Sequence, residues 1–135
     1  MKNYIKVRWQ EENVFLGENK AGGKTLLGGE NIRPMQMVLV ALAGCSGVDV
    51  VHILKKMRVD FSDLQIEVSG ERADTHPKVY TDIHLKYSVW GKNIKAKDLE
   101  KAIKLSEDKY CSVSAMLRST AKIHSEYKIM EQKDV

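Results

Sequence analysis

The chain has 135 residues, 43% of them apolar and 30% charged, with two prolines, which suffices for one hydrophobic core, is short for two ordinary domains, and excludes a disordered chain. Lysine and arginine exceed aspartate and glutamate by 22 to 18, and the surplus is scattered over helix and strand faces, which argues for a solvated surface and against nucleic-acid binding. Met1–Gln10 lacks the apolar stretch and cleavage site of an export signal, and the longest apolar run, Met35–Gly44, is about half of what a membrane helix needs, so a cytoplasmic protein that crosses no membrane is expected.

Residues 2–9 alternate, with Ile5, Val7 and Trp9 on one side and Lys6 and Arg8 on the other, the period of a half-buried strand. A polar turn, Glu11-Glu12-Asn13, leads to a short strand at Val14–Leu16, and Ala21-Gly22-Gly23 turns the chain into a third at Lys24–Leu27. Pro34 then stands where a helix can begin, because its fixed φ and missing N–H cost nothing in a first turn. The spacing predicts a helix over 34–57 whose first half is apolar or small nearly all the way round, the mark of a helix buried on several sides. Such a helix asks for more cover than one chain of this size gives, so its far side is expected to pack on a second copy, making a homodimer.

Leu64–Val68 alternates again, as does Lys78–Trp90, where Val79, Thr81, Ile83, Leu85, Tyr87 and Val89 share a face; the two read as adjacent antiparallel strands. Helices are expected at Ala96–Lys109, with Glu100 placed to meet Lys104, and at Ser112–Thr120, with Val113, Met116 and Leu117 on one side. Lys122–Met130 reads as a last strand and residues 131–135 as a loose tail. The sum is one α+β domain over residues 1–135, in the order βββ-α-ββ-α-α-β.

Two cysteines without an export signal point to a reducing compartment, where a structural disulfide is uncommon and any pairing is transient. Cys45 lies mid-helix between Gly44 and Ser46, where filling core space is the plain alternative to chemistry. Cys111 falls at a break between two helices, near an N-cap whose free N–H groups would lower a thiol pKa. The two lie 66 positions apart, so no local metal motif or thioredoxin-type Cys-x-x-Cys exists, and any meeting must come from the fold. Asp49 and His52 share a helical face with Cys45 and could form a polar cluster with it; His76, His84 and His124 show no ligand spacing, and no metal or cofactor is expected.

Arg33-Pro34-Met35-Gln36-Met37-Val38-Leu39-Val40-Ala41-Leu42-Ala43-Gly44-Cys45 resembles the Pro-x-(Glu/Gln)-(Leu/Met)-apolar-Ala-Ala-x-x-x-Cys helix start of OsmC/Ohr-like proteins, and Lys109-Tyr110-Cys111-Ser112-Val113-Ser114 resembles their second cysteine motif. Element order agrees too, so the resemblance spans nearly the whole chain; the stretch after His52 looks closest to the less characterised OsmC-like branch. It implies a two-layer fold around a long buried central helix, an intertwined homodimer, and active sites at the subunit interface. It further implies a peroxidatic cysteine, here Cys45, that attacks an organic hydroperoxide or hydrogen peroxide in oxidative-stress defence. A resolving cysteine, here Cys111, then forms a disulfide that thiols or lipoylated proteins reduce. The family's activating glutamate falls at Met35 or Gln36, neither of which carries charge, and residues 20–31 lack the family's arginine, for which Arg33 could substitute. The catalytic candidates are therefore Cys45, Cys111, Arg33 and Gln36. The competing reading is a non-catalytic binder holding a hydrophobic or acyl ligand in an interface pocket flanked by Met35, Met37 and Met116.

Overall fold

The structure is a computed structural model and describes residues 1–131, so the tail expected at 131–135 lies, apart from Glu131, outside the described residues. Among the described residues the strands and α-helices follow in the predicted order: β1 (Lys6–Glu11), β2 (Val14–Glu18), β3 (Lys24–Leu27), α1 (Pro34–Lys56), β4 (Phe61–Arg72), β5 (Tyr80–Gly91), α2 (Ala96–Leu105), α3 (Ser112–Leu117) and β6 (Lys122–Met130). The chain divides into two compact units, residues 1–38 and 39–135, with α1 running through the boundary.

In the first unit β1, β2 and β3 form an antiparallel meander in that order. Gly28 closes it with φ +86, and a Cβ there would collide with the Asn13 carbonyl oxygen, so only glycine fits. The apolar row expected to be half-buried is open in the single chain: Ile5, just before β1, and Val7 and Trp9 on it are 61%, 54% and 65% exposed. Alternation reports that a strand has an apolar face and says nothing of what covers it.

The second unit holds a sheet in the order β4-β5-β6, antiparallel between β4 and β5 and parallel between β5 and β6. The predicted inward row of β5 is the core: Ile83, Leu85, Tyr87 and Val89 are buried, while His84 points outward. Helix α2 adds Leu99, Ala102 and Ile103 to that core. Glu100 accepts a hydrogen bond from the Tyr127 hydroxyl of β6, which ties α2 to the sheet. Helix α1 buries Leu42, Ser46, Val50, Ile53 and Leu54, a stripe at intervals of three and four. Close approach of this helix needs small neighbours, and Gly47 passes 3.4 Å from the Ile66 side chain, measured from the Cβ position it lacks. The other apolar positions of α1 are partly open in a single chain, with Val40 46% and Val48 72% exposed.

All three helices differ from expectation in some respect. The 23 residues of α1 carry the apolar run past Gly44, so by length and composition this helix is long and apolar enough to cross a membrane, although Leu42, Ser46, Val50, Ile53 and Leu54 are buried in the unit's core. Helix α2 stops at Leu105, where the backbone widens into a π-helical turn over Ser106–Tyr110 before α3. Side-chain periodicity cannot show this, because one added residue per turn shifts the face without changing its composition. Helix α3 ends at Leu117, and Met116, expected on its packed side, is 68% exposed.

Candidate active site

Helix α1 and the N-cap of α3, just after the π-helical turn, carry the two sulfurs to one place. The thiols of Cys45 and Cys111 and a carboxylate oxygen of Asp49 all lie within 4.8 Å of one another, and both thiols are free. Cys45 and Asp49 are one helical turn apart and share a face. Cys111 is fixed from its backbone: its N–H donates to the Ser106 carbonyl (2.7 Å), and its own carbonyl accepts from the Ser114 hydroxyl (3.0 Å). Cys111 is buried, whereas Cys45 and Asp49 are half-buried.

A buried polar chain supports Asp49 from behind. Tyr87 Oη lies 2.6 Å from Ser46 Oγ, and Ser106 Oγ lies 3.0 Å from both Ser46 Oγ and Asp49 Oδ2. Burial, opposed by the Ser46 hydrogen bond, pushes the Tyr87 phenol up to about 12, with Glu107, Cys111 and Asp49 adding to the rise, so it keeps its proton. A hydroxyl has one proton and a carboxylate only accepts. Ser106 is the donor in both of its contacts, so its single proton is shared between Ser46 Oγ and Asp49 Oδ2, while Tyr87 and Ser46 share the third hydrogen bond.

Cys111 occupies the N-cap of α3, and its sulfur accepts from the Ser114 N–H at 3.4 Å, as its place in the sequence suggests. The expected fall in thiol pKa does not follow. Burial raises it and outweighs the Ser114 hydrogen bonds, and the Cys45 sulfur alongside raises it further. A helix of six residues contributes too little field to reverse this.

Arg33 and Gln36 belong to the first unit, where their contact is with each other: the Gln36 side-chain oxygen accepts from the Arg33 N–H at 2.9 Å. This is half of a capping box at the start of α1, and it gives Gln36 a structural use that the motif comparison did not suggest. His52, expected to cluster with Cys45, is exposed and shares with Asp49 the wall of an open cavity of about 550 Å³, which Ile53, Lys56, Met57, Lys101, Leu105 and Tyr110 complete. Sequence reasoning missed Ser46, Tyr87 and Ser106. Each carried a signal, since Ser46 falls between Leu42 and Val50 on the buried stripe, Tyr87 lies in the inward row of β5, and Ser106 extends the spacing Leu99, Ala102, Ile103.

An α+β chain with a long apolar helix under a sheet, bearing one thiol on that helix and a second at the cap of a short helix, defines a class of two-cysteine proteins. The family model for OsmC-like proteins matches residues 27–126, and the chain belongs to that family. It is 38% identical to protein YhfA of Escherichia coli K12 over 129 residues, 93% of this chain and 96% of YhfA. The crystal structure of a hypothetical protein from Aquifex aeolicus VF5 superposes with a TM-score of 0.91 at 36% identity, covering 98% of this chain and 99% of that one. That of an OsmC-like protein from Mycoplasma pneumoniae superposes at 0.84 over 96% of this chain and 98% of that one; at 16% identity it shows the fold alone.

Proposed function

We propose that the chain is a cytoplasmic thiol peroxidase, working as a homodimer, that reduces small organic hydroperoxides or hydrogen peroxide. Membership of the OsmC-like family suggests a role in peroxide stress. The observation that carries the specific reading is the approach of two free sulfurs to within 4.8 Å. Cys45, the more accessible thiol, attacks the distal peroxide oxygen; the O–O bond breaks, an alcohol or water leaves with a proton, and Cys45 becomes a sulfenic acid. The Cys111 sulfur then attacks the Cys45 sulfur, water leaves, and the disulfide forms; two thiols of a small-molecule or lipoyl-protein reductant restore the pair. Arg33 and Gln36 belong to the same proposal as the residues that stand for the family's arginine and acid, and Arg33→Ala tests whether thiolate reactivity needs that guanidinium.

The deciding experiment is intact mass with thiol counting on reduced protein before and after one equivalent of cumene hydroperoxide, with hydrogen peroxide in parallel. Loss of both thiols with loss of two hydrogens, abolished in Cys45→Ser, is the expected result. Two thiols still titratable after long exposure would overturn the peroxidase. A second reading, a carrier for a hydrophobic or acyl ligand, draws on the cavity beside Asp49, whose volume of about 550 Å³ falls in the range of ligand sites. It predicts copurified ligand in native mass spectra and retention unaffected by Cys45→Ser.

A further inference from the structure

We propose that Cys45, Asp49 and Cys111 form a binding site for a thiophilic divalent cation of the zinc type. This goes beyond the peroxidase reading and does not depend on it. The three donor atoms converge to within 4.8 Å of one another. Zinc bonds of about 2.3 Å to sulfur and about 2.0–2.2 Å to carboxylate oxygen, at tetrahedral angles, place ligand atoms roughly 3.5–3.8 Å apart. Closing around an ion therefore asks for shifts of about an ångström, within reach of side-chain rotation alone. Binding forms two metal–sulfur bonds and one metal–oxygen bond, and the thiol protons leave to solvent.

The donor set selects the metal. Two sulfurs and one carboxylate suit zinc, cadmium or cobalt and disfavour magnesium and calcium, which take oxygen ligands at higher coordination number. Three protein ligands leave a fourth position for water. Cys45 and Asp49 are held on one face of a long helix, so two of the three ligands are pre-arranged. Outer partners are also in place: the Ser106 hydroxyl orients the Asp49 carboxylate at 3.0 Å, and the Ser114 N–H approaches the Cys111 sulfur at 3.4 Å. Asp49 also lines the open cavity, which supplies a route for the ion. Sequence spacing does not reveal such a site, because Cys45 and Cys111 lie 66 positions apart, far beyond any local ligand motif.

A bound ion would hold both sulfurs reduced and unavailable, so metal occupancy and disulfide formation exclude one another. The test uses the reduced, metal-free full-length chain in a phosphine reductant, titrated with cobalt(II) and then zinc(II), with no peroxide present. The expected result is one ion per chain, a thiolate-to-cobalt charge-transfer band that zinc removes, and loss of that band in Cys45→Ser. Asp49→Asn keeps a hydrogen-bond acceptor for Ser106 and removes the charge, and it should weaken binding by more than about tenfold. Both substitutions are at half-buried positions, and circular dichroism confirms that the variants fold. Absence of the band, or an Asp49→Asn chain that binds as tightly as the parent, would overturn the site. Because peroxide consumption is read separately, failure of either proposal leaves the other standing.

Discussion

Ser106 is the junction of the buried polar chain, and Ser106→Ala tests whether that chain holds the site. The substitution suits a helical backbone and removes one hydroxyl that bridges Ser46 and Asp49 at 3.0 Å each. A hydrogen bond to a carboxylate contributes about 1.5–3 kcal/mol and a neutral one about 0.5–1.5 kcal/mol, so the loss should be roughly 2–4 kcal/mol. For a chain of this length, about 4 °C per kcal/mol gives a fall in Tm of roughly 8–16 °C. Urea unfolding followed by circular dichroism measures the first figure and a thermal scan the second. A double-mutant cycle with Tyr87→Phe then asks whether the chain acts as one unit, since Tyr87 reaches Ser106 only through Ser46. Coupling above about 0.5 kcal/mol is expected. A Ser106→Ala chain within about 0.5 kcal/mol of the parent, or strict additivity, would refute a connected polar chain from Tyr87 to Asp49.

Three further outcomes follow from the same geometry. Cys111→Ser should consume about one equivalent of hydroperoxide and stop, leaving Cys45 as a sulfenic acid that dimedone labels, whereas sustained turnover would remove Cys111 from the cycle. Gly28→Ala should destabilise the meander by more than about 2 kcal/mol, through positive φ and the collision with Asn13, seen as faster hydrogen exchange at β2 and β3 amides. The Glu107 carboxyl is raised by burial, against the pull of Arg118 and with Asp108 adding to the rise, so its native pKa exceeds its unfolded one. Its contribution to stability is then present at low pH and lost as pH rises through the native value, and Glu107→Gln should flatten the stability profile across that window; an unchanged slope would contradict it.

Most of the fold was legible because its elements follow strong periods. The inward row Ile83, Leu85, Tyr87, Val89 and the helix begun by Pro34 were both readable from alternation and first-turn chemistry. What escaped depended on tertiary contact or backbone widening. The π-helical turn changes residues per turn over five positions, too few for any pattern to register. The rise in the Cys111 pKa comes from burial and from Cys45, neither visible at a position that reads only as an N-cap. Cys45 and Cys111 stand out as the chain's two cysteines and again through motif resemblance, and Asp49 is legible one helical turn after Cys45 as a member of a polar cluster. The polar chain behind it joins three elements and is spelled in serines and a tyrosine, residue types too common to stand out.

The parallel pairing of β5 with β6 binds the assembly of the site to the order in which the chain folds. Parallel neighbours need a crossover, and here residues 92–121 supply it, carrying α2, the π-helical turn and α3. Cys111 rides in the middle of that crossover, so its position is secured only once β6 has docked beside β5 and the helices are pressed onto the sheet. Such non-local pairing must close a long loop before its contacts form. The two thiols, 66 positions apart in sequence, thus meet through the crossover and not through local structure, so their approach depends on β6 reaching its place beside β5.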